Sequence, residues 1–324
     1  MATQHSTSDQ NGFSIIEALI IIVVIGAIGF IGWHFMSSHN NGQQGGKATR
    51  STGWTFDGAE WKANGKAPAC PNPLNMTPPV DLEQVTGILY PGQYRGGNYK
   101  THGGFKLADG TNDTVTVKAP MDGVLYKGSR YIEQGETQYL LFIVNPCGIM
   151  YRFDHLATLS PTFQKIVDDT FPPAQEDNSA TTNFSKTYEV KTGDTIATSV
   201  GFKKTGNTTF DFGVYDLRTP NEISKNSGWA STHANEKEFA YVGTCWFDDF
   251  SSEHAAHIKS LPAVDSLSGS ISDYCKTAAG TTLTNTVGNP SSSSTVQSTQ
   301  SSATAGGGSG TGSGNGTGGG TGHH

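Results

Sequence analysis

Phe13 to Phe35 is a run made mostly of Ile, Val, Ala, Leu, Phe and Gly, and before His34 its one ionisable side chain is Glu17. About 20 apolar residues cross the hydrocarbon core of a bilayer as a helix, so this stretch of about 23 predicts one membrane-spanning helix. A single carboxylate inside hydrocarbon is costly, and Glu17 therefore calls for a role.

The residues Gly12-Phe13-Ser14-Ile15-Ile16-Glu17-Ala18-Leu19 resemble the class III signal of type IV pilins and pseudopilins. The resemblance implies cleavage after Gly12 by a prepilin peptidase, N-methylation of the new terminal Phe13, and pairing of Glu17 with the terminal amine of a neighbouring subunit. It also implies a single-pass protein of the cytoplasmic membrane whose C-terminal part is extracytoplasmic, at the cell surface. Two departures separate this chain from a full pilus subunit. Residues 1–12 carry no Lys or Arg, and the helix is not extended by a long amphipathic segment. A plain signal anchor is the alternative.

Beyond the apolar run, composition divides the chain. Residues 37–53 are polar and glycine-rich, the composition of a flexible linker. Residues 281–324 are dominated by Ser, Thr and Gly, which bury too little to repay their ordering entropy, so this tail is expected to be disordered. Only the middle, 54–280, can build a core. The formal net charge of -7 gives no electrostatic reason for binding nucleic acid, whose phosphates demand concentrated Lys and Arg. The four cysteines, Cys70, Cys147, Cys245 and Cys275, include no CxxC pair and suit disulfides in an exported domain. Cys245 with Cys275 and Cys70 with Cys147 is one of three possible pairings, and the sequence does not choose among them.

Within the middle, short β-rich runs recur at Val115–Val117, Gly123–Tyr126, Tyr139–Val144, Met150–Phe153, Thr187–Val190 and Thr209–Tyr215, separated by Gly, Pro, Asn and Asp clusters. That pattern predicts a mainly β, antiparallel domain. Helical expectations are few: a short turn at Pro161–Asp168, a short helix at Asp81–Val85, and a helix at Ser252–Ser260. The Pro-rich stretch 54–93 is expected to wrap the sheet as an irregular extension, with the sheet domain at 94–221 and a C-terminal extension at 222–280.

From Tyr94 to Asn221 the running order of motifs resembles the β-sheet core of the lysostaphin-type zinc peptidases, which cut peptides of bacterial cell walls. Thr101-His102-Gly103-Gly104-Phe105-Lys106 stands where that family has His-x-Gly-x-Asp. Val117 to Val124, Tyr151-Arg152-Phe153-Asp154-His155-Leu156, Val190 to Ala197 and the glycine loop Gly201 to Gly206 follow in the family's order. Thr209-Phe210-Asp211-Phe212 falls on His-x-His-Phe. The resemblance implies a lysostaphin-like antiparallel sheet with irregular extensions.

It also implies where zinc chemistry would be built, because a hydrolytic zinc site needs three protein ligands and one open position for water. His102 keeps its ligand position and His155 its catalytic one. Lys106 stands where the family has the ligand Asp, Thr209 where it has a catalytic His, and Asp211 where it has the last ligand His. An ammonium cannot coordinate a dication and repels it. The expectation is therefore a non-catalytic relative without a cofactor, in which a Lys106–Asp211 salt bridge fills the metal position and the cleft binds cell-wall peptide or a protein partner. One alternative is an active peptidoglycan metalloendopeptidase holding Zn through His102, Asp211 and His155. Another is a minor pilin assembling with pilus subunits.

Overall fold

The computed structural model describes residues 53–264 and 271–276. The pilin-like run with Gly12, Phe13 and Glu17, the linker up to residue 52 and the Ser/Thr/Gly tail lie outside the described residues. Among the described residues no helix is long and apolar enough to cross a membrane.

The chain begins with a small hairpin, β1 (Trp54–Phe56) and β2 (Trp61–Ala63). A 3-10 turn at Leu82–Gln84, capped by the Asp81 carboxylate accepting from the Glu83 backbone N–H, leads into β3 (Val85–Leu89). A second hairpin, β4 (Gln93–Arg95) and β5 (Asn98–Lys100), precedes β6 (Gly103–Leu107) and β7 (Val117–Lys118). Next come three long strands, β8 (Gly123–Glu133), β9 (Glu136–Val144) and β10 (Ile149–Leu159), and a helix, α1 (Pro161–Thr170). The sheet is completed by β11 (Thr182–Asn183), β12 (Glu189–Val190), β13 (Thr195–Val200) and β14 (Thr209–Asp216). Helices α2 (Ser227–Thr232) and α3 (Ser252–Ser260) follow.

One ten-stranded sheet dominates, with the path β11-β8-β9-β10-β14-β6-β3 and β12, β13 and β7 paired off it. Every strand pair in it is antiparallel. The fold is thus mainly β and antiparallel, as the spacing of the apolar runs predicts. Strand alternation explains where the core lies. Tyr151 and Phe153 of β10 point to one face, where they join Leu141, Ile143, Phe105, Phe210, Phe212 and Trp246 in the main core. Met150 points to the other face, with Val144, Phe142 and Tyr215, beneath Trp54 and Trp61 of the first hairpin.

Two local expectations change. Pro161–Thr170 is a full α-helix rather than a turn, because Pro161 is tolerated in its first turn and Phe163 and Val167, four apart, both enter the core. The Pro-rich extension is also less irregular than its composition suggests. Val85 and Ile88 are buried apolar residues, and their strand pairs with β6 at the sheet edge.

Disulfides join Cys70 to Cys147 and Cys245 to Cys275. The first ties the N-terminal extension to the β9–β10 turn, and the second closes the C-terminal segment onto itself. Closing a loop of 30 residues restricts the unfolded chain by about 3 to 4 kcal/mol. Replacing Cys245 and Cys275 together by Ser is expected to lower the unfolding free energy measured in urea by that amount, while far-ultraviolet circular dichroism retains the β spectrum.

Candidate functional site

Register across three neighbouring strands assembles the site. Asp211 of β14 lies opposite Asp154 of β10 on one side and Gly104 of β6 on the other. Arg152 of β10 lies opposite Gly213 of β14. Partners across an antiparallel pair share a face, so Arg152, Asp154, Asp211 and His102 stand together on the face away from the main core. The same face is apolar at its other end, under the first hairpin, and becomes charged here.

Two glycines make room. A Cβ on Gly213 would meet the His102 Cβ at 2.8 Å, and one on Gly104 would meet the Phe210 carbonyl oxygen at 2.5 Å and the Asp211 Cα at 3.2 Å. Without these small residues, His102 and Asp211 could not sit in adjacent rows.

Arg152 holds the centre. Its Nη2 donates to Asp154 Oδ2 at 2.5 Å and lies 4.0 Å from Asp211 Oδ2, and its Nη1 is 3.0 Å from His102 Nδ1. The guanidinium also lies over the Phe142 ring, 5.4 Å from its centre. Burial works against its charge, but Asp154 and Asp211 more than compensate and raise its pKa further. Asp154 is saturated, because its Oδ1 accepts from the Tyr131 hydroxyl at 2.7 Å and from the His155 backbone N–H at 2.9 Å.

His102 is buried, and its Nε2 stands 2.8 Å from Asp211 Oδ2. Burial, reinforced by Arg152, pulls its pKa from 6.5 down to about 3. Burial opposes ionisation of Asp211, yet its contacts with His102, His155 and Arg152 hold its carboxyl well below the usual range. His155 sits where β10 bulges against β9 and has a φ of 57°, a left-handed conformation that is uncommon outside glycine and costly for the backbone. The bulge swings its ring toward the site, with Nε2 3.8 Å from Asp211 Oδ2 and Nδ1 3.9 Å from Glu133 Oε2. Burial raises the Glu133 carboxyl, with His155 acting against it.

No family model matches the chain, and no curated protein matches it. Among solved structures it is similar to lysostaphin in solution, at 17% identity and a TM-score of 0.28, over 44% of this chain and 47% of that one. It is also similar to a glycyl-glycine endopeptidase LytM from Ruminococcus gnavus ATCC 29149, at 15% identity and a TM-score of 0.22, over 41% of this chain and 53% of that one. The chain spans about half the length of each. Overlap this partial leaves the chemistry to be decided by the residues of the site.

Of the residues singled out from sequence, His102, His155 and Asp211 come together. Thr209 and Lys106 pair across β14 and β6 one step further along the same face. The expected Lys106–Asp211 salt bridge does not form. Register puts Gly104, not Lys106, opposite Asp211, and the Lys106 ammonium turns outward to Asp109 at 3.8 Å. The internal cation is Arg152 instead. The motifs do not single out Arg152, Tyr131, Glu133 or the nearby Lys100 as site residues. The available signal was the alternation Met150-Arg152-Asp154 inside an otherwise apolar strand, since charged residues at successive same-face positions of a buried strand announce an internal ion pair.

The residues present do not fit zinc at the position the motifs imply. For His102 to ligate through Nε2, its proton must sit on Nδ1. Nδ1, however, faces an Arg152 N–H, and arginine has no lone pair with which to accept a proton. Arg152 thus keeps the proton on Nε2, next to the Asp211 carboxylate, and adds a permanent positive charge where a dication would approach. One carboxylate-rich trio does converge: Asp154, His155 and Asp211 each offer a ligand atom, all within 4.8 Å of one another. A metal there would have to displace the Arg152 and Tyr131 contacts that already occupy Asp154.

Because His102 is neutral in the fold and takes a proton near pH 6.5 once unfolded, its contribution to stability is lost as pH falls from 6.5 toward 3. The slope approaches about 1.4 kcal/mol per pH unit. Between pH 6.5 and 4 the buried Asp249 carboxyl, raised to about 7, contributes a slope of opposite sign, so the His102 contribution is read as a difference. Urea unfolding stability of the wild type should rise with pH more steeply than that of His102→Gln, whose amide can meet both neighbours, by about this slope.

Proposed function

We propose that the chain displays a metal-free, peptidase-like cleft that binds peptide of the bacterial cell wall without cutting it. The observation that carries this reading is the Arg152 guanidinium, held between His102, Asp154 and Asp211 where the motif order would put a catalytic metal. A fixed cation satisfies the surrounding carboxylates and imidazole as a dication would, but it has no open position to lower the pKa of a water. His155 and Asp211 remain partly exposed at the mouth and can meet peptide amides and carbonyls.

The reading keeps the anchor expected from Phe13–Phe35, with processing at Gly12 and Phe13 by a prepilin peptidase, a role for Glu17 in the membrane, and the cleft held outside it by the 37–53 linker. Partners are then the membrane and peptidoglycan peptide. Nucleic acid has no place in it, given the net charge of -7.

The test is the zinc content of the full chain, purified in detergent and equilibrated with excess zinc before loosely held ion is removed. Wild type is expected to retain essentially none. The reversion Lys106→Asp, Thr209→His and Asp211→His is expected to gain little while Arg152 stays, and to gain about 10- to 100-fold in zinc affinity when Arg152→Met is added, the scale on which partners outside the ligand set act. One tightly held zinc per wild-type chain, lost in His155→Ala, would overturn the metal-free reading and make hydrolysis through Asp154, His155 and Asp211 the working model.

A further inference from the structure

The β4–β5 hairpin stands beside the cleft with its two faces sharply divided. Tyr94 lies opposite Tyr99, and Gln93 opposite Lys100. The tyrosines face the C-terminal segment, where Tyr99 packs on Trp229, His233 and Tyr274. Gln93, Arg95 and Lys100 share the other face. Arg95 ties that face to the cleft, donating to the Tyr90 carbonyl at 2.5 Å and the His102 carbonyl at 3.1 Å.

Gln93 and Lys100 are left without partners there. Gln93 is 2% exposed, and both its amide oxygen and its amide nitrogen are buried without a hydrogen bond. Among the described residues the Lys100 ammonium forms no ion pair and no hydrogen bond. Burial pushes its pKa down, while the nearby Asp211 acts in the opposite direction. A half-buried ammonium that forms no ion pair, directly across from a buried amide without a hydrogen bond, is unfavourable for the fold alone. Such groups are retained where a ligand completes them.

The chemistry narrows the ligand. Arg152 donates to Asp154 and lies against His102, and Arg95 donates to two backbone carbonyls, so the donors on this face still without an acceptor are the Lys100 ammonium and the Gln93 amide. An ammonium and a neutral amide N–H suit a monoanion with two acceptor oxygens. A dianion such as phosphate would find too little positive charge and would be repelled by Asp211. A carboxylate fits, and on a peptide held in this cleft that group is the C-terminal carboxylate.

We infer that Lys100 and Gln93 form a carboxylate subsite at the edge of the cleft, which selects peptides with a free C-terminus. The subsite rests on the peptide-binding reading above, and the experiment separates the two. The full chain in detergent is titrated calorimetrically with N-acetyl-D-alanyl-D-alanine and N-acetyl-triglycine, each as the free acid and as its C-terminal amide. Wild type is expected to bind at least one acid about 10-fold or more tightly than its amide, the scale of a charge-assisted hydrogen bond. Lys100→Met should abolish that preference without weakening amide binding, Lys100→Arg should restore part of it, and Gln93→Leu should reduce it.

Equal affinity for acid and amide, or a preference that survives Lys100→Met, would overturn the subsite and leave peptide binding standing. Failure of every peptide to bind would overturn both. Stability supplies an independent readout. Gln93→Leu and Lys100→Met each remove an unpartnered polar group and are expected to leave the urea midpoint equal or higher. A lower midpoint in both would assign these residues to the fold and overturn the subsite.

Discussion

A guanidinium buried in the middle of a β-sheet face is the constraint around which this molecule is arranged. Removing one partner from a buried ion pair leaves an uncompensated charge, a loss of several kcal/mol. Arg152 therefore dictates its surroundings. Asp154 must be ionised to meet it, Asp211 must stay ionised at close range, and His102 must present a lone pair at Nδ1. The guanidinium also lies over the face of the Phe142 ring, a contact that favours a cation. The burial that makes the ion so costly when alone also makes its contacts strong once they are all in place.

The sheet supplies the precision this requires. The glycines at 104 and 213 are steric requirements of that packing, because a methyl group at either would force β6 and β14 apart at the point where His102 meets Asp211. A one-residue slip between these strands would turn the charged row into the main core and bring Phe105 and Phe212 to the surface. Core packing and site geometry are therefore the same specification. The aromatic side chains that lock the register on one face hold the ion cluster in place on the other.

Much of the fold was legible because strands announce themselves by alternation. The β runs around 123–126, 139–144, 150–153 and 209–215 all lie on observed strands, and the helix at Ser252–Ser260 has the expected bounds. The convergence of His102, His155 and Asp211 was legible from motif order. Two things were not. Motif positions give the residue that replaces a ligand but not the direction in which it points, and so Lys106, on the right strand and the right face, lies two residues out of register with the Asp211 partner that motif order suggests. Motif order does not point to Arg152, because no ligand position falls on it. Its significance appears only when β10, β14 and β6 are set side by side. The hairpin carrying Gln93 and Lys100 is harder still, since a missing hydrogen bond leaves no trace in a sequence.

Placing an arginine rather than a metal among these groups changes what the cleft can be. A metal ion is exchangeable, and a site built for it must keep its ligands deprotonated and one coordination position open. An arginine is covalently retained and charged at every accessible pH, and it saturates its neighbours through directed N–H donors. Around it stand the glycine-lined rows and the strained backbone at His155. Strain of that kind survives only where the structure around it enforces it. Here the enforcing contacts are the Asp154 carboxylate on the His155 N–H and the His155 carbonyl accepting from Gly201. The first belongs to the network that Arg152 anchors, because Asp154 receives the guanidinium on its other oxygen, so the arginine that occupies His102 Nδ1 also braces the strained backbone at His155.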